Sequence, residues 1–165
     1  MNSKHARNVA RLAKWTRIQL VILFLAAAIG YPLFPFVAQE EASVMPEVQH
    51  LVVPYSVAAI VMTAAIQVFL VCIWLVVGRV GRGGFYEAST ARIISVAGVV
   101  AVVGCLMPCG VAFHMGHVEH IGGPMVCPAM LVSFFMAVTL GCLAALLVQI
   151  FRAAKADRDE LAEVI

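Results

Sequence analysis

Residues 51–78 read LVVPYSVAAIVMTAAIQVFLVCIWLVVG, and this run contains no Asp, Glu, Lys or Arg. A helix that crosses the hydrocarbon core of a bilayer needs about 20 mostly apolar residues. The run is therefore long enough for one membrane span. Three other runs are also long enough and also lack charge, so the four predicted spans are residues 18–38, 51–78, 93–114 and 121–151.

The composition of the whole chain agrees with this interpretation. Of its 165 residues, 63% are hydrophobic and 12% are charged, whereas soluble domains are about 45–50% apolar and about 25% charged. These values exclude a soluble globule and a disordered chain. Membrane β-strands are about 10 residues long and alternate polar with apolar residues, which these runs do not. The sequence therefore predicts an all-α protein, a four-helix transmembrane bundle that forms a single membrane domain over residues 1–165.

The first span does not resemble a cleavable signal peptide. A signal peptide has an apolar core of about 7–15 residues that ends in a cleavage site of small residues. This span is longer, and its end reads Phe36-Val37-Ala38, with a bulky side chain where a small one belongs. We expect the span to be retained.

The charges predict how the chain threads the membrane. All eleven Lys and Arg lie before the first span, between the second and third, or after the fourth, whereas residues 39–50 and 115–120 contain only acidic charges. By the positive-inside rule, both termini and residues 79–92 are cytoplasmic, and the topology is up-down-up-down in the cell membrane. The cytoplasmic segments then carry a formal charge of +6 and the outer loops −4, which agrees with the net charge of +2. The basic residues are thus a topology signal and do not indicate direct nucleic-acid binding.

Polar and small residues within the spans predict contacts between helices. Ser56, Thr63 and Gln67 lie near one face of the second span. Gln67 is close to mid-membrane, where it either hydrogen-bonds another helix or contacts a substrate or ion. The first interpretation is favoured because no ionisable residue lies at that depth to form a pathway. Close packing of the third and fourth helices is predicted from two rows of small residues, Ala97, Ala101 and Gly104 on one side and Ala137, Gly141 and Ala145 on the other.

Prolines predict where the helices bend, begin or end. Pro32 and Pro35 should bend or end the first helix, and Pro46 suits the first turn of the second. Pro108 predicts a kink in the third helix, and Pro124 and Pro128 fall in the opening turns of the fourth span. The terminal segments 2–17 and 153–165 are predicted to be helical extensions. They are either solvated or form a docking surface for a cytoplasmic partner.

Five cysteines occur within the spans and none forms the C-x-x-C redox motif. Most are expected to act as small buried apolar residues. Cys109 and Cys127 are both predicted about 8–9 Å below the outer surface, at 1.5 Å per residue, so whether they pair is left open. We expect two reduced thiols. The cysteines are Cys72, Cys105, Cys109, Cys127 and Cys142.

Histidines cluster in the loop after the third span. His114, His117 and His120 form H-x₂-H-x₂-H around Glu119, and His50 is expected nearby at the outer end of the second span. Histidine and carboxylate are good ligands for Zn and Cu. The neighbouring glycines favour a turn over a helical ligand row, so whether these histidines bind metal stays open. The sequence assigns no catalytic residue, metal site or cofactor.

The chain resembles the domain of unknown function 2975 family, whose members are small four-span bacterial membrane proteins. The resemblance runs from Pro46 to Ile165. The first span matches only in its general character as an apolar span. It is carried by PEVQHLVVPY at 46–55, IQVFLVCIW at 66–74, GRGGF at 81–85, GGP at 122–124 and ELAEVI at 160–165. The resemblance implies a four-helix membrane protein of no assigned activity. It also implies a partner, because members are often encoded beside a small helix-turn-helix regulator.

Three functions are predicted, in decreasing order of support. The first is a non-enzymatic regulatory, sensory or structural membrane protein that acts through protein contacts. The second is a small transporter or channel subunit, which would need a homo-oligomer to build a polar path. The third is an outward-facing metal sensor built on the three histidines. A quinone-linked thiol oxidoreductase is disfavoured because its outward C-x-x-C motif is absent.

Overall fold

The computed structural model describes residues 3–80, 88–121 and 123–163, with side chains over 11–79, 89–121 and 123–156. All regular structure in these residues is helical. The four long helices are α1 (Ser3–Val44), α2 (Val52–Val80), α3 (Ala88–Phe113) and α4 (Val126–Glu163). A 3₁₀ helix (Pro46–Leu51) leads into α2, a π-helical turn (His114–Val118) follows α3, and a short 3₁₀ turn (Gly123–Met125) precedes α4.

The four predicted spans are confirmed as four helices that are long and apolar enough to cross a membrane. These segments are Arg11–Val44, Pro46–Arg79, Ser89–Val118 and Gly123–Ala156. Each is longer than the corresponding predicted span because the helices continue into the flanking polar residues. Few of their side chains are buried within the chain, and the large apolar residues of every helix are widely exposed. Such exposure is expected where lipid covers the apolar surface.

The helices form an open row in which each packs on the next. Within the described residues, extensive contacts join α1 to α2, α2 to α3 and α3 to α4, and no extensive contact joins α1 to α4. The structure therefore differs from a bundle closed between its first and last helices. Lipid supplies no hydrophobic force to close such a bundle, since an apolar face is as well covered by acyl chains as by another helix.

Where neighbouring helices meet near their ends, a residue close to the start of one helix contacts a residue close to the end of the other. Arg17 of α1 lies over the ring of Trp74 of α2, 5.7 Å from its centroid, whereas Gly30 lies near Thr63. At the other boundary, the Arg79 guanidinium donates a hydrogen bond of 3.1 Å to the hydroxyl of Thr90, which is fully buried. This bond ties the end of α2 to the start of α3.

The prolines of α1 do not end that helix. Pro32 and Pro35 lie inside α1, which continues to Val44, so of the two predicted outcomes, a bend or an end, the end does not occur at these prolines. Proline is tolerated in membrane helices because nearby groups can satisfy the backbone carbonyls it frees. Pro46 does begin the 3₁₀ turn before α2, as expected for a first-turn proline, and Pro108 lies within the continuous α3.

Small residues bring α3 and α4 close together, but one predicted contact is wrong. A Cβ at Gly98 would overlap the Cβ of Ala144, and a Cβ at Gly141 would lie 3.3 Å from Val102 Cγ2. Gly104, in contrast, faces α2, since a Cβ there would lie 3.6 Å from the Cβ of Ala65. Gly98 was missed because the sequence gives the spacing of small residues but not the face they occupy.

The packing of α3 on α4 also corrects the predicted depths of two cysteines. Gly98 lies opposite Ala144 and Gly116 lies near Val126. For any two residues that face each other across this contact, the two residue numbers therefore add up to about 242. Cys109 is therefore level with residue 133, six residues from Cys127. At 1.5 Å per residue this offset is about 9 Å along the helix axis, beyond the roughly 7 Å between Cα atoms that a disulfide allows. Both cysteines are free thiols in the structure.

We accordingly expect all five cysteines to react with an alkylating reagent in the denatured, unreduced protein. Intact-mass measurement after alkylation without reductant provides the readout. Five added groups agree with the register of α3 on α4. Three added groups, with a peptide linking Cys109 to Cys127, would contradict that register.

Candidate functional site

A cluster of four polar residues joins the start of α2 to the end of α3. It consists of His50, Tyr55, His114 and Glu119, and we call it the polar cluster. The π-helical turn builds its α3 side, since the Glu119 N–H donates to the His114 carbonyl over 3.1 Å, a bond across five residues. The wider turn brings the two side chains onto one face, with His114 Nε2 at 4.0 Å from Glu119 Oε1.

His50 forms the link between the 3₁₀ helix and the turn after α3. Its Nε2 lies 3.1 Å from Glu119 Oε2, and its Nδ1 lies 3.0 Å from the backbone carbonyl of Glu47. A carbonyl only accepts hydrogen bonds, so Nδ1 carries a proton. The contact of Nε2 with the Glu119 carboxylate is an ion pair when the His50 ring is protonated. The proximity of His50 to this loop, expected from the sequence, is confirmed.

Tyr55 and His114 connect α2 to the end of α3 directly. The Tyr55 hydroxyl lies 3.0 Å from His114 Nδ1, and the two rings meet edge to face with centroids 5.9 Å apart. Sequence reasoning missed Tyr55. The available signal was its position five residues after His50, close to the predicted membrane surface.

The three loop histidines have different surroundings. His114 contacts Tyr55 and Glu119, whereas the ring of His117 stacks on Phe113 with centroids 4.7 Å apart. His120 is exposed and has a left-handed backbone φ of 53°, and the next N–H, of Ile121, donates to Met115 O. In the described part of the chain, no three His, Cys, Asp or Glu side chains are grouped so that they could hold a metal ion. The geometry thus gives no support to a sensor built on the three histidines.

A second polar contact lies deeper, between α1 and α2. The Tyr31 hydroxyl donates to Gln67 Oε1 over 2.8 Å, and Gln67 Nε2 lies 3.4 Å from the carbonyl of Phe24. Both ends of the Gln67 amide are thus directed at α1, which agrees with its interpretation as an interhelical hydrogen bond. Thr63 donates within its own helix, to the Ala59 carbonyl.

We expect Gln67→Leu to destabilise the protein by about 1 kcal/mol, the usual value of a hydrogen bond between membrane helices. Thermal melting in detergent measures the loss. Because Tyr31 and Gln67 share one bond, the Tyr31→Phe, Gln67→Leu double variant should melt no lower than Gln67→Leu alone. Fully additive losses would show that the two side chains act separately.

The polar cluster links the start of α2 to the end of α3 through hydrogen bonds. Its residues come from the 3₁₀ helix, α2, the π turn and the loop that follows. His50 and Glu119 are accessible, with side chains 58% and 24% exposed. Beside the cluster lies an apolar cavity that shares Tyr55 as a lining residue.

Comparison with known proteins identifies a family. The model of a family described as protein of unknown function (DUF2975) matches residues 36–165. No curated protein and no solved structure matches the chain significantly. The matched region begins ten residues before Pro46, where the resemblance in the sequence began, and it includes the polar cluster, α2, α3 and α4. It covers most of the chain, which therefore belongs to the DUF2975 family of proteins of unknown function.

Proposed function

We propose that the protein is a non-enzymatic, multi-pass component of the cell membrane that regulates or senses through a cytoplasmic protein partner. In this proposal the chain threads the bilayer up-down-up-down with both termini cytoplasmic. The observation that supports the proposal is the length of α1 and α4, because the start of α1 and the end of α4 lie at the same end of the row.

The two outer helices of the row are much longer than a membrane is thick. Helix α1 has 42 residues and α4 has 38, so they are about 63 and 57 Å long at 1.5 Å per residue, whereas the hydrocarbon core is about 30 Å thick. The contacts of Arg17 with Trp74, Arg79 with Thr90 and Gly98 with Ala144 bring the start of α1 and the end of α4 to one end of the row. A partner there meets two projecting helices.

The charges divide between the two ends of the row. Where the structure describes side chains, Lys and Arg lie at the end with the projecting helices and Glu lies at the end with the polar cluster. The last turns of α4 add Arg158 and four acidic residues to the basic end. This division supports a cytoplasmic location for the projecting helices by the positive-inside rule. The basic residues are Arg11, Lys14, Arg17, Arg79, Arg92, Arg152 and Lys155, and the acidic residues are Glu40, Glu41, Glu47 and Glu119.

The test uses the partner that the family resemblance implies, a small helix-turn-helix protein encoded beside the gene. We expect the full chain in lipid nanodiscs to retain that protein in a pull-down, and a chain ending at Ala156 to retain much less. The truncation removes the last nine residues, among them four acidic ones. A tail of the same length with a shuffled sequence is the matched control, which should not restore binding.

The alternative is a transporter or channel subunit. Among the described residues, the open row leaves a face of α1 and of α4 without a helix neighbour, and a second copy could cover either face. A ring-shaped homo-oligomer that binds no regulator, and that conducts ions or solute in vesicles, would replace the regulatory proposal with this one.

A further inference from the structure

An apolar cavity lies beside the polar cluster, at the acidic end of the helix row. Its volume is about 420 Å³, within the range of about 300–1,000 Å³ of small-molecule sites. The end of α1, the 3₁₀ helix, the start of α2 and the loop after α3 each contribute to its wall. The apolar lining includes Val48, Leu51, Met115 and Ile121.

Two lining residues give this cavity a chemical preference. Glu41 is the charged residue of the wall, and Tyr55 contributes an aromatic ring. The Tyr55 hydroxyl is bonded to His114, which holds that ring in place. A carboxylate attracts a cation, and the face of an aromatic ring does so too. Met45 and Met115 add flexible, polarisable side chains that adapt to different apolar shapes.

The surroundings of the cavity have the same sign of charge as Glu41. Glu40 and Glu47 belong to the same end of the row, whereas Glu119 lies against His50 and His114. The sequence contains no Lys or Arg between residues 18 and 78 or between 93 and 151. A site with one sign of charge and low-dielectric walls concentrates ligands of the opposite sign. An anionic ligand is disfavoured there, and a neutral one gains no charge–charge attraction from the carboxylate.

We propose that this cavity binds an organic cation with an apolar body, its positive charge directed towards Glu41 and its apolar groups against Val48, Leu51 and Met115. The site lies at the opposite end of the row from the projecting helices. Its occupancy can be measured without the cytoplasmic partner, so the two proposals can fail independently.

Two probes of the same shape and opposite charge test the preference. Equilibrium dialysis compares tetraphenylphosphonium with tetraphenylborate, with the full chain in nanodiscs and empty nanodiscs as the background. We expect saturable binding of the cation above that background and little binding of the anion. Equal saturable binding of both probes, or none of the cation, would overturn the proposal.

Variants of two adjacent glutamates locate the site. We expect Glu41→Gln to weaken cation binding about tenfold, an energy of about 1.4 kcal/mol. The control is Glu40→Gln, which removes the same charge from a residue outside the cavity lining and should change affinity less than twofold. If both variants lose the same affinity for the cation, the attraction comes from the acidic end as a whole. That result would contradict a site at Glu41.

A variant with a large side chain in the cavity provides an independent check of where the cation binds. Val48→Trp places a large side chain in the cavity and should abolish saturable binding while the melting temperature stays near that of the unaltered chain. Retained binding in a folded Val48→Trp protein would place the ligand elsewhere. If this variant does not fold, the two glutamate variants still decide the question.

Discussion

Gly98→Ala is expected to lower the melting temperature in detergent more than the same change at any other described glycine of α3 or α4. A Cβ at Gly98 would overlap the Cβ of Ala144 on the facing helix. Both atoms are attached directly to backbone, so no side-chain rotation relieves the overlap and the helices must separate. Overpacking of this kind costs about 1–3 kcal/mol. Helix association in lipid depends on close packing. The expected loss of stability therefore comes from the weakened contact between α3 and α4.

Three other glycines provide matched controls for this change. At Gly141 the new Cβ would lie 3.3 Å from the flexible end of Val102, and at Gly104 it would lie 3.6 Å from Ala65, an ordinary contact. At Gly110 it would meet nothing within 4 Å. The loss of stability should therefore fall in the order Gly98, Gly141, Gly104 and Gly110. If Gly98→Ala and Gly110→Ala melt alike, the close approach of the helices is wrong.

A second substitution tests whether Gly98→Ala destabilises the protein through the overlap with Ala144. Ala144→Gly removes the Cβ that the new alanine would strike, so it should restore part of the stability of Gly98→Ala. The rescue is partial because glycine in a helix interior costs about 1 kcal/mol relative to alanine. A double variant less stable than Gly98→Ala would mean that these two positions do not face each other.

Hydropathy alone was sufficient to predict the number of helices and their approximate positions. Three of the predicted spans fall within a helix long enough to cross a membrane, and the fourth starts two residues before such a helix. This agreement arises because the cost of placing charge in lipid constrains every residue of a span. The ends of the helices were harder to predict. Helix α1 passes through Pro32 and Pro35, and whether a proline ends a helix depends on neighbours that satisfy the freed carbonyls.

Rotation and register of the helices could not be read from the sequence. Gly98 and Gly104 look alike as small residues of one span, yet one faces α4 and the other faces α2. The same uncertainty brought Cys109 and Cys127 to one depth in the prediction. The part of the predicted 79–92 loop formed by residues 81–87, which includes Arg82 and the GRGGF string, lies outside the described residues.

The polar cluster was partly predictable for a similar reason. His114 and Glu119 stood out as polar residues in an apolar chain, and His50 was expected near them. Tyr55 was missed because the sequence does not reveal that a π turn directs His114 towards α2. The partner of Gln67 was missed likewise, since Tyr31 is one of several aromatic residues in the first span. In each case the type of residue was visible and its contact was not.

The orientation in the membrane is the most direct test of the account, because the proposed cytoplasmic partner depends on it and the charge division is the argument for it. Single cysteines are placed in a variant whose five native cysteines are replaced by alanine or serine, and intact cells are treated with a membrane-impermeant maleimide. Val118 is exposed at the acidic end of the row, and Ser89 and Ala153 lie at the basic end. We expect labelling of Val118→Cys in intact cells, and of Ser89→Cys and Ala153→Cys only after the membrane is permeabilised. Labelling of the Ser89 and Ala153 positions in intact cells, with Val118→Cys protected, would contradict the account.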